Sequence, residues 1–312
     1  MDWYWIVIVS ISFILTLILL TSFICYKMCF YNKDRDLSND KIVFPDEGFY
    51  VPFKDVAITH IKMARELKYK ELSIKSFDGL TLKGRYYHKY DNAPIEIMVH
   101  GYKGSGERDL SVGIFRAFAC NRNALIIDQR AAGHSQGNVI SFGVHEAKDV
   151  LAWIYKVIEE FGNDVKIILT GISMGAATVI NTASYDLPSN VKGVLADCGF
   201  NSPKEIIKKF IADMKLPPDL FYVFVKLGGK IFGKVDIEEI APIDALKKAK
   251  LPIIFIHGKQ DSVVPCYMSE KMYEAYNGKK RLVIVDGADH GVSYIIEPKL
   301  YIDELNEFFK DI

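Results

Sequence analysis

The chain has 312 residues, of which 50% are hydrophobic and 25% are charged, so it is long and apolar enough to bury a full core. Lys and Arg together number 39, as do Asp and Glu, and the formal net charge is zero. A nucleic-acid-binding protein needs a basic excess, so this composition argues against a nucleic-acid partner. The five cysteines are odd in number and irregularly spaced, which predicts no disulfide framework.

The N-terminal stretch is uncharged from residue 3 to residue 26. As a helix it would be roughly 36 Å long, enough to cross a hydrocarbon core of ~30 Å. Trp3 and Tyr26 mark its two ends, as interfacial aromatic residues do. The alternative is a cleaved secretory signal, but that needs a basic n-region, and no Lys or Arg precedes the stretch. We therefore predict a retained transmembrane anchor over residues 1–26.

The charges that flank the anchor predict its orientation. No basic residue precedes it, and four follow it closely: Lys27, Lys33, Arg35 and Lys41. The positive-inside rule then favours a single-pass protein of the cell membrane with its folded part on the cytoplasmic side. Residues 27–66 are predicted to form a juxtamembrane linker and a helix, and residues 67–312 the main domain.

From residue 69 onward, apolar and β-branched runs alternate with helical patterns. Asp78-Gly79 is a hairpin turn signal between the first two runs. A hairpin followed by alternating strands and helices predicts the α/β class, with a mixed, mostly parallel eight-stranded sheet and helices on both faces. The predicted strands are residues 72–77, 80–87, 95–99, 124–128, 165–170, 191–196, 252–257 and 282–285.

The alternation stops between about residues 202 and 247. This stretch is rich in helix formers and aromatic residues, is broken by Pro217-Pro218 and Gly228-Gly229, and has no strand pattern. We predict a helical cap inserted into the domain. Its aromatic residues either line an acyl pocket or pack the cap onto the sheet, and the sequence leaves both interpretations open: Phe210, Phe221, Tyr222, Phe224 and Phe232.

The central stretch, residues 165–183, predicts a buried strand, a sharp turn GISMG and a helix. Glycines on both sides of Ser173 remove Cβ atoms that would clash in such a turn, leaving the hydroxyl at its tip. A second Gly-x-Ser-x-Gly motif, GHSQG around Ser135, neither follows a strand directly nor starts a helix. Its context indicates a loop turn, so Ser173 is the predicted nucleophile.

A serine nucleophile needs a base and an acid that orients the base. His290 lies in a loop between the last strand and the last helix, whereas His100 and His257 are more typical of turn-supporting histidines. Asp261 directly follows a strand and is the predicted acid, with Asp197 as the alternative. The backbone N–H groups of Met174 and Tyr102 are the predicted oxyanion donors.

These motifs together resemble the α/β-hydrolase superfamily over about residues 69–312. More narrowly, the chain is similar to membrane-anchored bacterial hydrolases described as serine aminopeptidase-like or prolyl-oligopeptidase-like. The stretches that carry this likeness are HGYKGSG, DQRAAGHSQG with the following ISFG, GISMGAAT and HGKQDSVVP. The resemblance implies the same roles for Ser173, Asp261, His290, Tyr102 and Met174. One departure is Ala132, where the family commonly has His or Gly, and it touches a structural loop only.

The sequence therefore predicts a membrane-tethered serine hydrolase that acts on a small acyl substrate through an acyl-enzyme. A carboxylic ester is the favoured substrate, and a short peptide or amide is the alternative. A hydrolase-fold binding protein without activity is the rival from another class. No metal or organic cofactor is predicted, and the oligomeric state is left open.

Overall fold

The N-terminal helix α1 (Trp3–Cys29) is long and apolar enough to cross a membrane, judged by its length and composition. It runs three residues beyond the predicted end of the anchor at residue 26. Within the predicted linker and helix, residues 34–41, 43–47, 49 and 50 lie outside the described residues, so that part of the domain division stays a prediction. The computed structural model describes residues 3–33, 42, 48 and 51–312.

The domain is built on one sheet of eight strands, as predicted. The predicted strands lie within a few residues of the observed ones, because each is a short apolar run that the sheet buries. The strands are β1 (Lys70–Lys75), β2 (Thr81–Tyr87), β3 (Ile95–Val99), β4 (Asn123–Ile127), β5 (Ile167–Ile172), β6 (Val191–Asp197), β7 (Ile253–Gly258) and β8 (Lys280–Val285).

The strand order across the sheet is β1-β2-β4-β3-β5-β6-β7-β8. β2 pairs antiparallel with both β1 and β4, and every other neighbouring pair is parallel. The carboxyl ends of the six parallel strands therefore lie along one edge of the sheet, and β5 lies near its centre. In open α/β sheets this edge is where ligand sites form.

Helices cover both faces of the sheet. Outside the β6–β7 insertion, the helices of the domain are α2 (Lys54–Glu66), α3 (Gly106–Ala119), α4 (Val144–Phe161), α5 (Met174–Thr182), α9 (Tyr267–Ala275), α10 (Ser293–Ile296) and α11 (Pro298–Phe308). Alternate residues of β3 point to opposite faces, because Ile97 packs with α4 and α5 while Met98 packs with α3. α11 covers the second face under β6 and β7.

The insertion between β6 and β7 is helical and contains no strand among the described residues. Ser202 begins its first helix by accepting a hydrogen bond from the Glu205 amide, 3.1 Å away, and Pro203 follows at the first helical position. The insertion forms a cap that also contacts α1. It consists of α6 (Pro203–Asp213), α7 (Pro218–Gly228), a π-helical turn (Gly229–Gly233) and α8 (Pro242–Ala245).

Candidate active site

The turn between β5 and α5 is a strained elbow centred on Ser173. Its φ and ψ are 56° and −120°, a conformation that non-glycine residues rarely adopt. A Cβ at Gly171 would lie 2.1 Å from the Gly175 carbonyl oxygen, and one at Gly175 would lie 2.0 Å from the Val99 carbonyl oxygen. Only glycine fits at both positions, and the turn holds the Ser173 hydroxyl at the edge of the sheet.

Three predicted residues from three distant loops meet at this edge. The Ser173 Oγ atom lies 2.9 Å from Nε2 of His290, and Nδ1 of the same ring lies 2.7 Å from Oδ2 of Asp261. A carboxylate only accepts hydrogen bonds, so Nδ1 carries the proton of the neutral ring. Nε2 then presents its lone pair to the Ser173 hydroxyl, which is the arrangement that a general base requires.

The Asp261 carboxylate is held by four donors. Its Oδ1 atom accepts hydrogen bonds from the backbone amides of Val263 and Val264, at 2.9 and 2.7 Å. Its Oδ2 atom faces Nε2 of His257 at 3.1 Å, in addition to His290. Burial alone would raise the pKa of Asp261, but the hydrogen bonds from His257 and His290 lower it below its ordinary value. The carboxylate therefore stays ionised across the neutral range.

The two backbone amides predicted as oxyanion donors belong to residues that line the same cavity as Ser173. Met174 begins α5 directly after the serine, and Tyr102 follows β3 in a loop held by Asp109, whose Oδ2 accepts from the Gly101 amide at 3.1 Å. A Cβ at Gly101 would lie 3.4 Å from the Cβ of Ser173, so this loop runs against the serine. Within the described part of the chain, neither the Tyr102 nor the Met174 amide donates to another residue. Both are therefore available to a bound substrate.

A cavity of about 630 Å³ opens beside Ser173 and His290. Its walls come from the sheet edge, from α6 of the cap and from the end of α1, and most of the lining side chains are apolar. The lining includes Met28, Ile207, Phe210, Met214 and Val292. Such a volume and lining suit one small apolar ligand or one acyl group.

Comparison with known proteins supports the fold described above. A family model described as alpha/beta hydrolase fold matches residues 97–237, which include the elbow and most of the cap. The chain has the α/β-hydrolase fold. The sequence-based recognition of the superfamily and of its fold is thereby confirmed, while the narrower aminopeptidase-like subgroup stays a prediction.

Other proteins resemble this chain over half of its length or more. YqkD of Bacillus subtilis, described as uncharacterized, is 27% identical over 241 residues, which are 77% of this chain and 78% of YqkD. YfhR of Escherichia coli, also described as uncharacterized, is 25% identical over 54% of each chain. The structure of the Pyrococcus furiosus esterase Pf2001 superimposes with a TM-score of 0.64 and 22% identity, covering 90% of this chain and 99% of the esterase. That last likeness shows the fold alone.

The second Gly-x-Ser-x-Gly motif of this α/β hydrolase lies in a loop away from the elbow. Ser135 is buried, its Oγ atom donates to the Asp128 carbonyl oxygen at 2.5 Å, and it accepts from the Lys83 amide at 2.8 Å. The first bond ties the loop to the end of β4, and the second ties it to β2. Ser135 therefore supports the structure, in agreement with its sequence context.

The alternative base and acid also lie elsewhere in the hydrogen-bond network. His100 faces the Gly101 carbonyl oxygen through Nδ1 at 2.7 Å and accepts from the Gln129 amide through Nε2 at 3.0 Å. Asp197 accepts from the Tyr301 hydroxyl at 2.7 Å, and burial raises its pKa above the ordinary value. Both side chains therefore hydrogen-bond to segments around the site and not to Ser173.

The roles of two residues near the site were not predicted from the sequence. His257 contacts Asp261 directly, although the sequence indicated only a turn-supporting histidine. Asp289 accepts from the amides of Ser262 and His290, at 2.8 and 2.7 Å, and so joins the acid loop to the base loop. No local sequence signal distinguishes these roles, because each depends on a contact with a loop that is distant in the chain or on a fold-dependent turn.

One group among the described residues has metal-ligand spacing, and it overlaps the site. Atoms of Cys198, Asp261 and His290 lie within 4.8 Å of one another. The Asp261 and His290 atoms already bind each other, and burial raises the pKa of the Cys198 thiol well above its usual value. A protonated thiol is a weak ligand, so this donor set suits proton transfer better than metal binding.

Of the five cap aromatics, only Phe210 lines the cavity. Phe232 packs on α1, with ring centroids 5.1 Å from Phe23 and 5.9 Å from Tyr26. Tyr222 donates its hydroxyl to Glu238 at 3.0 Å. The packing interpretation therefore describes the other four better than the pocket interpretation does.

Proposed function

We propose that this chain is a membrane-anchored serine hydrolase that cleaves carboxylic esters through an acyl-enzyme. The observation that carries the proposal is the continuous array from the Ser173 hydroxyl through His290 to Asp261, with contacts of 2.9 and 2.7 Å. Few roles other than nucleophilic catalysis need a serine in a strained turn with an imidazole hydrogen-bonded to its hydroxyl.

In the proposed reaction, His290 takes the Ser173 proton as Oγ attacks the ester carbonyl carbon. The amides of Tyr102 and Met174 stabilise the oxyanion, and each such donor is typically worth ~3 kcal/mol in the transition state. His290 returns the proton to the leaving alkoxide as the ester C–O bond breaks. Water, deprotonated by the same ring, then releases the acyl group as a carboxylic acid. Asp261 holds the ring and stabilises its charged form throughout.

The cavity favours an ester over a peptide. An aminopeptidase needs a carboxylate to bind the substrate ammonium group, and the two acids that line the cavity are already bound elsewhere. Asp109 pairs with Arg108 and the Gly101 amide, and Asp197 binds the Tyr301 hydroxyl. A structural neighbour is named an esterase, which agrees with this preference. A peptidase or amidase activity on short peptides is the alternative.

Helix α1 supports the membrane anchor. Its side chains from residue 3 to residue 17 are exposed all round, and an exposed apolar helix of this kind is stable in lipid and not in water. The basic residues that follow it favour the cytoplasmic side for the domain. Protease treatment of intact cells tests this orientation, because a cytoplasmic domain is digested only after the cells are opened.

The test of the activity uses the full chain in a mild detergent, a fluorophosphonate label and a p-nitrophenyl ester. The variant Ser173→Ala should lose labelling and at least ~10³-fold in kcat, as expected for removal of a nucleophile. Ser135→Ala is the matched control, since it alters the serine of the other Gly-x-Ser-x-Gly motif and should keep labelling. A thermal melt of each variant checks that the fold persists.

Two outcomes would contradict the proposal. Labelling that persists in Ser173→Ala but disappears in Ser135→Ala would move the nucleophile to the other motif. A folded wild-type chain that neither labels nor hydrolyses esters or short peptides would favour the binding protein without activity.

A further inference from the structure

Helix α1 packs against the cap along its C-terminal part. From Ile18 onward one face of the helix is covered, and Ser22 and Tyr26 are buried. A Cβ at Gly228 of α7 would lie 2.2 Å from the Ser22 carbonyl oxygen, so the two helix backbones are in contact there. The cap is therefore fixed to the anchor itself, with no spacer between them.

The length of α1 sets the depth of this contact. A hydrocarbon core of ~30 Å takes about 20 residues at ~1.5 Å per residue, which from Trp3 ends at Ser22. Burial of one face of the helix begins at Ile18, before this point. If α1 spans the bilayer, the cap meets the membrane surface directly, and α7 lies at the hydrocarbon edge.

The surface of α7 is suited to that position. Leu220, Val223, Phe224 and Leu227 recur at helical spacing and are all at least partly exposed, with Leu220 and Val223 at 55% and 50%. Phe224 lies one turn before Gly228, so this stripe borders the contact with α1. An apolar stripe beside a membrane helix is typical of a segment that inserts into the lipid interface.

The cavity of the active site reaches the same helix. Met28 and Cys29 of α1 line it. The Tyr102 hydroxyl donates to the Cys29 carbonyl oxygen at 2.8 Å, and the Lys103 ammonium donates to the Met28 carbonyl oxygen at 2.9 Å. The loop that carries an oxyanion donor is thus tied to the anchor.

The mouth of the cavity lies near the lipid headgroups. Three of its lining side chains are apolar and exposed: Met28, Phe210 and Met214. Met28 is six residues beyond Ser22, or ~9 Å along the helix, and the headgroup layer on each side of a bilayer is ~5–8 Å thick. A membrane lipid therefore needs to rise only a few ångströms beyond the headgroup layer to place its acyl chain in the cavity.

We propose that the substrate is an acyl ester of a membrane lipid, drawn laterally from the bilayer along the α7 stripe. The proposal rests on the hydrolase function proposed above and names its substrate class. The acyl chain occupies the apolar cavity, and the ester carbonyl lies at Ser173. Hydrolysis breaks the ester C–O bond, the alcohol leaves with a proton from His290, and water completes the release of the fatty acid.

The test uses the full chain reconstituted in phosphatidylcholine vesicles. Two substrates are compared, water-soluble p-nitrophenyl acetate and bilayer-embedded 1-oleoylglycerol. The double variant L220E/V223E charges the stripe without touching the site. We expect its rate on 1-oleoylglycerol to fall about tenfold or more while its rate on p-nitrophenyl acetate stays within about twofold. Y155E is the matched control, since Tyr155 is an equally exposed apolar residue on α4 and should change neither rate.

The outcomes distinguish failure of the lipid-substrate proposal from failure of the proposed hydrolase function. A wild-type chain active on p-nitrophenyl acetate but inactive on 1-oleoylglycerol overturns the lipid substrate alone. A double variant with unchanged rates on both esters overturns the entry of the lipid along the α7 stripe. A wild-type chain active on neither ester overturns the hydrolase proposal as well. If the glutamate double variant misfolds and loses both activities, the milder double variant L220S/V223S is measured on the same two esters, and the same outcomes apply.

Discussion

The Nε2 atom of His257 lies 3.1 Å from Oδ2 of Asp261, the carboxylate oxygen that also faces His290. The Val264 carbonyl oxygen lies 2.8 Å from the same Nε2, and two acceptors require that this nitrogen carry a proton. Nδ1 then accepts from the Ser269 hydroxyl at 2.7 Å. The acid is therefore held between two imidazole rings, one directed at the nucleophile and one at the core.

His257 is a positioning residue for the proposed triad. We expect His257→Leu to lower kcat for p-nitrophenyl acetate by about tenfold with little change in KM, because one charge-assisted hydrogen bond to Asp261 is worth ~1.5–3 kcal/mol and part of this is recovered by rearrangement. His257→Gln, which can still donate from its amide, should retain more of the activity. Steady-state kinetics of the full chain in detergent measure both parameters.

A different distribution of the loss between kcat and KM, or between the two variants, would contradict this role. Equal losses in the Leu and Gln variants, or a rise in KM with kcat unchanged, would show that His257 only packs the core. Thermal melts of both variants separate loss of activity from loss of fold.

The part of the fold and site that depends on local sequence could be predicted. The eight strands are predicted by short apolar runs that the sheet buries. The elbow is predicted by a serine between two glycines, at positions where any larger side chain would clash. The meeting of His290 and Asp261 at Ser173 follows from the rule that parallel strands present their carboxyl ends at one edge.

Contacts between distant segments could not be predicted. The charge of Lys27 predicted the end of the anchor at residue 26, yet α1 continues to Cys29, and the buried ring of Phe30 packs 5.6 Å from that of Phe142. The packing of Phe232 on α1 is another contact between distant segments. The contact of His257 with Asp261, four residues further along, depends instead on how the loop after β7 turns. A single sequence shows which face of an element is apolar, but it does not show which other element covers that face.

Glu96 forms a buried ionic cluster beneath the site. Its carboxylate binds Arg116 at 2.5 Å, Arg122 at 2.8 Å and the Thr170 hydroxyl at 2.9 Å. Burial would raise the pKa of Glu96, but the two arginines lower it to about 2. The cluster joins β3 to α3 and to β5, the strand that carries the elbow.

We predict that Glu96→Gln destabilises the chain by ~3 kcal/mol at neutral pH, because it leaves two buried arginines without their counter-ion. A carboxyl whose pKa falls on folding, from ~4.3 to about 2, stabilises the fold fully above its unfolded value. This contribution is lost as pH falls from about 4.3 towards 2. The difference between wild type and variant should therefore be constant from pH ~8 to ~5 and shrink below pH ~4.3.

Urea unfolding of the full chain in detergent at several pH values measures this difference. Glu160→Gln is the control, because Glu160 pairs with Lys70 and Lys156 at the surface and exposed pairs contribute ~0–1 kcal/mol. The difference in unfolding free energy between wild type and Glu96→Gln should be large at neutral pH. A small difference there, or one that grows as pH falls, would contradict an ionised Glu96.

The contact between α1 and α7 depends on Gly228. A side chain there would meet the Ser22 backbone, so Gly228→Val should force the two helices apart and expose α1 residues that the cap now covers. Cys25 is buried in this contact. We predict that its alkylation by a thiol reagent, measured by peptide mass spectrometry on the full chain in detergent, becomes at least about tenfold faster, since reactivity follows exposure.

Leu227→Val is the matched control, because the neighbouring side chain is partly exposed and its change should leave Cys25 protected. Cys120 and Cys198 are buried in the domain, away from α1, and report any general unfolding. Faster alkylation of Cys25 alone would mean that the cap and anchor have separated while the domain remains folded. Protection of Cys25 in a folded Gly228→Val chain would mean that the helices do not meet at this glycine, and the membrane-facing position of the cap would lose its basis.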